Sequence, residues 1–203
     1  MTGATEAVLQ FWYGDLEGGL MDPARRNSLF RADAGFDGRI RDAFGADVEA
    51  ALAGRRDAWA TTIRGRAALV LLLDQFTRNI FRGTARAFAG DPQALAFARE
   101  GVSRGEDRLL AIEERVFFYL PFEHSEHLAD QETSLELFTA LLAEQEADGP
   151  AAEVLKNYLQ HARDHHVLIE RFGRFPHRNR ILGRPSTDAE ASWLGQDGRR
   201  FGQ

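Results

Sequence analysis

Apolar positions recur at helical spacing along most of the chain. Thr5 to Tyr13 carries the first such run, and a stretch rich in glycine and charge, Gly14 to Arg26, follows it as a loop. Phe36, Ile40 and Phe44 fall every four residues, which predicts a short amphipathic helix ended by Gly45. Asp47 then caps another short helix to Ala53, closed by Gly54. The strongest run extends from Thr62 to Phe81. Leu69, Leu72, Leu73, Phe76 and Ile80 make its main face, while Val70, Leu71 and Phe81 lie elsewhere around it, as expected of a helix central to a bundle.

Further along, Asp91-Pro92 reads as an N-cap with proline at the first helical position, opening a helix that stops near Gly105. A helical run from Glu113 meets Pro121, which is predicted to break or restart it. Thr133 with Glu136 forms a capping box for a helix to Ala147, with Asp130 as an alternative cap one turn earlier. Gly149-Pro150 precedes a long helix from Ala151 to Phe172, and Thr187 with Glu190 is a second capping box, for a helix ending near Gly195. Valine and isoleucine are scarce and no period-two alternation is bounded by turns, so no sheet is expected.

The predicted fold class is therefore all-α, an irregular array of roughly eight to ten helices paired as hairpins, without a clean ~34-residue repeat. Residues 1–203 read as one helical domain, with 1–60 as an N-terminal subdomain, 61–195 as the main array and 196–203 as a frayed tail.

Composition narrows the function classes. A net charge of −6 argues against nucleic acid or a membrane surface as partner, since both call for a dominant positive field. The chain has no cysteine, which excludes disulfides, thiolate metal sites and a cysteine nucleophile. MTGATEAVLQFW has no basic n-region, and the longest apolar run, Ala67 to Leu73, is too short to span a bilayer. A cytoplasmic protein is expected. Lys156 is the only lysine among 25 basic residues, a bias that a GC-rich genome explains, so only clustering of arginines carries information.

Four constellations could carry chemistry. In DQFTRN and the arginine beyond it, Asp74, Arg78 and Arg82 stack at four-residue spacing beside Gln75 and Asn79. On a solvated face they would be a surface ion pair; on a central helix they must line a cleft or join a buried network. PFEHSEHLADQ offers Glu123, His124, Glu126 and His127, but in neither zinc-protease spacing, so a capped polar helix start is preferred to a metal site. His124 could still act as an acid or base. In HARDHH, His165 sits mid-stripe among Tyr158, Ala162, Ile169 and Phe172, as a hydrogen-bonded core histidine would. Finally, Arg171 to Arg184 holds five arginines and a histidine without an acid, and includes Arg174, His177, Arg178, Asn179 and Arg180. These cations face either acidic helices at Glu113, Glu114, Glu123 and Glu126 or a carboxylate or phosphate ligand.

Three strings, LLLDQFTRNIFRGTARAFAGD, ERVFFYLPFEHSEHLADQ and ERFGRFPHRNRILGRPST, together resemble a bacterial family catalogued as domain of unknown function 924, over nearly the whole chain. The resemblance implies an all-helical fold related to tetratricopeptide arrays and no established reaction, substrate or cofactor. Family members often show Trp-Phe before the Phe-Asp step; this chain has Leu29-Phe30 and then Phe36-Asp37.

The leading expectation is a cleft for a small anionic molecule or an acidic peptide terminus. Asp74, Gln75, Arg78, Asn79 and Arg82 would form one wall, and His124, Glu126, His177, Arg178 and Asn179 the other. A hydrolase-like enzyme with a histidine base and an arginine oxyanion clamp is the alternative, and a tetratricopeptide-like scaffold the third. No metal or cofactor is implied.

Overall fold

The structure is a computed structural model that describes residues 2–29 and 31–197. Helix α1 (Thr2–Tyr13) is followed by a two-residue ribbon, β1 (Leu16–Glu17) and β2 (Leu20–Met21), where the sequence suggests only a loop. Gly18 and Gly19 take φ of 59° and 83°, the left-handed turn that such a tight antiparallel ribbon needs. The short helix α2 (Pro23–Leu29) leads to α3 (Ala34–Leu52). Apart from the ribbon the described residues with regular structure are helical, which places the chain in the all-α class.

Helix α3 replaces the two short helices expected around Gly45. Asp33 caps it, accepting from the Gly35 and Phe36 amides at 2.8 and 3.1 Å, and the stripe Ile40, Phe44, Val48, Ala51 runs unbroken past Gly45. Burial of that stripe outweighs the roughly 1 kcal/mol that glycine costs in a helix. Asp47 is thereby released from capping and pairs with Arg56 at 2.7 Å.

The central run is a helix in three parts: α4 (Ile63–Val70), a π-helical turn (Leu71–Phe76) and α5 (Thr77–Ile80). Thr62 caps it, accepting from the Gly65 amide at 3.1 Å. Every residue from Gly65 to Thr77 is buried, so the face bearing Asp74 and Gln75 is not a solvated one. Helix α6 (Asp91–Ser103) begins at Asp91, but Asp91 makes no side-chain cap. Its carboxylate is taken by Arg78. Gly90 explains how it arrives there: a β-carbon at 90 would overlap the Leu73 backbone, so glycine alone lets this loop lie on the π-turn.

Helix α7 (Ile112–Glu123) runs through Pro121 instead of breaking. Proline falls in the last turn, where only one amide bond is forfeited, and the His124 amide still donates to the Leu120 carbonyl at 2.8 Å. Helix α8 (Leu128–Ala143) starts five residues ahead of the Thr133 capping box. There Gln131 donates to the carbonyls of Glu123 and Ser125 at 2.6 and 2.7 Å and holds the α7–α8 corner. Helix α9 (Pro150–Phe172) ends at Gly173, with φ of 67°, and α10 (Asp188–Asp197) has the expected box, the Thr187 amide donating to Glu190 at 2.7 Å. Positions 196 and 197, expected to fray, belong to α10, while Phe30 and residues 198–203 lie outside the described residues.

Helices α7, α8 and α9 pack as successive neighbours, and α4 packs on α1 and α6. Phe11, Trp12, Phe36, Phe44, Phe76 and Phe117 form a chain of ring contacts that ties the first 45 residues to the central helices. No helix among the described residues is long and apolar enough to cross a membrane.

Candidate functional site

A cavity of about 550 Å³ opens where the π-turn and α5, the end of α7, one face of α9 and the turn Pro176–Arg178 meet. Seven of the ten residues singled out in sequence line it: Gln75, Arg78, Asn79, Arg82, His124, His177 and Arg178. Asp74 lies directly behind them, fully buried. Glu126 and Asn179 fall outside and hold the loop together instead. Arg184 donates to both Glu126 oxygens at 2.6 and 2.9 Å and to Asn179 at 3.0 Å, and the Phe175 amide donates to Glu126 at 2.8 Å.

The arginines of the loop divide between acidic partners in the chain and the cavity. Arg174 pairs with Glu190 and Arg184 with Glu126, whereas Arg178 enters the cavity. Of the acids expected to neutralise this loop, Glu113 is engaged by Arg26 and the Met21 amide, and Glu114 by Arg64 and the Ala111 amide. Arg82 is not stacked on Arg78 either, because the helix ends at Ile80. It turns to Asp37, donating at 2.8 and 3.0 Å, and Asn79 donates to the same carboxylate at 2.7 Å.

The inner wall is a linked set of charges. Asp74 Oδ1 accepts from His124 Nδ1 at 2.7 Å and from Arg78 at 3.0 Å, and Gln75 donates to Oδ2. Arg78 also grips Asp91 at 2.8 and 3.0 Å. Arg178 reaches the same Asp91 oxygen only at 3.5 Å, and donates from the same Nη1 to the His124 carbonyl at 3.1 Å. Its guanidinium lies over the rings of Phe88 and Phe175, 4.7 and 4.5 Å from their centres.

Burial and these charges reset the ionisable groups. Burial works to raise the Asp74 carboxyl, but Arg78 and His124 outweigh it and hold it well below the usual carboxylate range. Burial, then the Arg78 charge, lowers the His124 imidazole against the pull of Asp74, so the ring is neutral at pH 7. His177 is pushed down to about 3 by burial and by Arg178. Glu123 is pushed up to about 8, by burial and then by the Asp74 and Asp164 charges, so it is protonated at pH 7. Arg178 falls to about 10, chiefly through burial.

Several residues at or behind the cavity are not among those that the sequence points to as its walls. Asp37 was merely one of many acids, and Asp91 looked like a cap. Tyr158, His161 and His165 line the cavity from α9. His165 is buried and donates to the His161 carbonyl at 2.9 Å, as a core histidine should, but its Nδ1 also lies 3.1 Å from Glu123. The signal was present: polar rings at positions i, i+3 and i+7 on an apolar stripe. Among the described residues no group of three or more histidine, aspartate or glutamate side chains is set to hold a metal ion.

A family profile described as bacterial protein of unknown function (DUF924) matches residues 8–198. The chain is also similar to a solved structure, a protein of unknown function from Agrobacterium tumefaciens. The two are 39% identical, with a TM-score of 0.79, over 95% of this chain and 97% of that one. No curated protein matches.

Proposed function

The chain belongs to this bacterial family of unknown function, and we propose that its cavity binds a small organic anion, a carboxylate or a phosphate, on Arg178. One observation carries the proposal. Arg178 is a buried cation whose nearest carboxylate is 3.5 Å away and already gripped by Arg78. Its Nη2 is taken by no described residue, and its Nε is sealed without a partner. A buried charge so weakly compensated is costly, and an oxyanion of the ligand would complete it. The cavity volume suits a metabolite-sized molecule, and Leu29, Leu120 and Val154 supply apolar walls beside the polar groups. An acidic peptide terminus would present the same carboxylate.

A scaffold for partner proteins draws less support. The large apolar side chains exposed among the described residues, Leu109, Leu128 and Val167, are few and sit on separate elements.

Titration calorimetry and thermal melts with citrate and with inorganic phosphate test the proposal. Wild type should bind one of them and melt higher in its presence, as mass action requires. Arg178→Gln should lose that response, while Arg180→Gln, exposed two residues away, should keep it. Equal responses of the two variants would rule out Arg178 as the anchor.

A further inference from the structure

Four histidines line the cavity, and His124 is held unlike the others. The Asp74 carboxylate, ionised and acceptor-only, can take only a proton carried on Nδ1. The neutral ring therefore presents a bare Nε2. That nitrogen makes no bond to a described residue and is not sealed from solvent. Asp74 Oδ1 binds Arg78 as well as His124, and Arg178 donates to the His124 carbonyl, so the residue with the open nitrogen is tied directly to the anion-binding arginine. A ring nitrogen with an open lone pair, oriented through its other nitrogen by a buried carboxylate, is the arrangement that general-base catalysis calls for.

We propose that His124 is the general base of a hydrolytic site, with Asp74 as its positioning residue, acting on an oxyacid ester whose anionic group sits on Arg178. The proposal rests on the anion-binding reading above. Water is the nucleophile, because the cavity opens to solvent and no serine, threonine or cysteine is among its described lining residues. His124 Nε2 takes a proton from water as the water oxygen bonds to the ester's carbonyl carbon or phosphorus. The bond from that atom to the leaving oxygen breaks, and the proton on Nε2 passes to the leaving oxygen. Ester and water give acid and alcohol, and no other reactant is required.

The charged and titratable groups facing the ring are Asp74 and Arg78 from the central helix, Glu123 beside it on α7, His165 from α9, and His177 and Arg178 from the C-terminal turn. Asp74 supports the ring's proton affinity while burial, Arg78 and Arg178 depress it. Removing the Asp74 charge should therefore move the acid limb of the rate profile to lower pH, a displacement that a purely structural role for Asp74 would not produce.

The test uses the full chain with monomethyl succinate, monoethyl malonate, glycerol 3-phosphate and glucose 6-phosphate, which separate carboxylic from phosphoric esters. Binding is measured by calorimetry on His124→Gln, and hydrolysis by NMR on wild type. A probe that binds should be hydrolysed by wild type and at least about 100-fold more slowly by His124→Gln. With the hydrolysed probe, Asp74→Asn should lower the rate and shift the acid limb downwards. If Asp74→Asn does not fold, nitrogen-15 shifts of the wild-type His124 ring decide: Nδ1 protonated and Nε2 bare supports the proposal, and the opposite tautomer overturns it. A probe that binds without being hydrolysed overturns the catalytic proposal and leaves anion binding standing. Binding by none of the four overturns the catalytic proposal, and failure of citrate and inorganic phosphate as well removes the anion site.

Discussion

Arg184 and Arg178 leave the same loop six residues apart, and their guanidiniums are used in opposite ways. Arg184 is spent entirely inside the chain, on Glu126, Asn179 and the Phe175 carbonyl. Arg178 is the more deeply buried of the two and the worse compensated, with a shared carboxylate at 3.5 Å. The difference teaches where to look for a ligand. Burial alone does not mark a functional arginine, and neither does clustering. What separates the two is whether the chain supplies the anion.

The largest effect that could break this comparison is the cost of losing Arg184. Arg184→Met strands Glu126, partly buried, with only the Phe175 amide as partner, and should cost about 2–3 kcal/mol in urea unfolding. Arg178→Met should cost less than about 1 kcal/mol, because Asp91 keeps both bonds from Arg78 and no acid is stranded. If Arg178→Met were the more damaging of the two, Arg178 would be the structural arginine and the contrast would collapse. Combining Arg184→Met with Glu126→Gln sharpens it further: the double variant should recover about 1 kcal/mol relative to the sum of the singles, since the stranded charge is removed.

A smaller effect is expected in the pH dependence of stability. Glu123 stands at about 8 when folded against an ordinary 4.5, so the folded chain holds the extra proton between those values and stability falls as pH rises across them. His177 stands at about 3 against 6.5, and His124 and His165 are also depressed, so stability falls as pH drops below 6.5. Three histidines outweigh one glutamate in the overlap, and the melting temperature should peak near pH 6.5. Glu123→Gln should flatten the decline between pH 6.5 and 8 and, by removing the opposing contribution, steepen the loss of stability between pH 6.5 and 5, as melts from pH 5 to 9 would register.

The sequence discloses the helices well and the charge partners poorly. Apolar spacing and caps find α9, α10 and the central helix because those signals are local. Gly45 and Pro121 mislead for one reason: a buried stripe on either side of them overrides the residue's own preference. The cavity is half legible. DQFTRN, His124, His177 and Arg178 stand out as polar groups on apolar elements, but which acid meets which arginine depends on contacts up to 87 residues apart in sequence, such as Arg82 with Asp37 and Arg178 with Asp91. No spacing rule reaches that far.

The π-turn at Leu71–Phe76 carries a consequence for how the site could have arisen and could be lost. A π-turn holds one residue more than the α-turn it replaces, so in descent it corresponds to a one-residue insertion in an ordinary helix. Deleting a single codon there would restore α-helical winding and rotate everything beyond it by about 100°. Gly65 to Val70 would keep their places, but Asp74 and Arg78 would no longer share a face with His124 and Asp91. Point substitutions test the cavity one contact at a time; the deletion would dismantle it in one step while leaving its side-chain chemistry in the sequence.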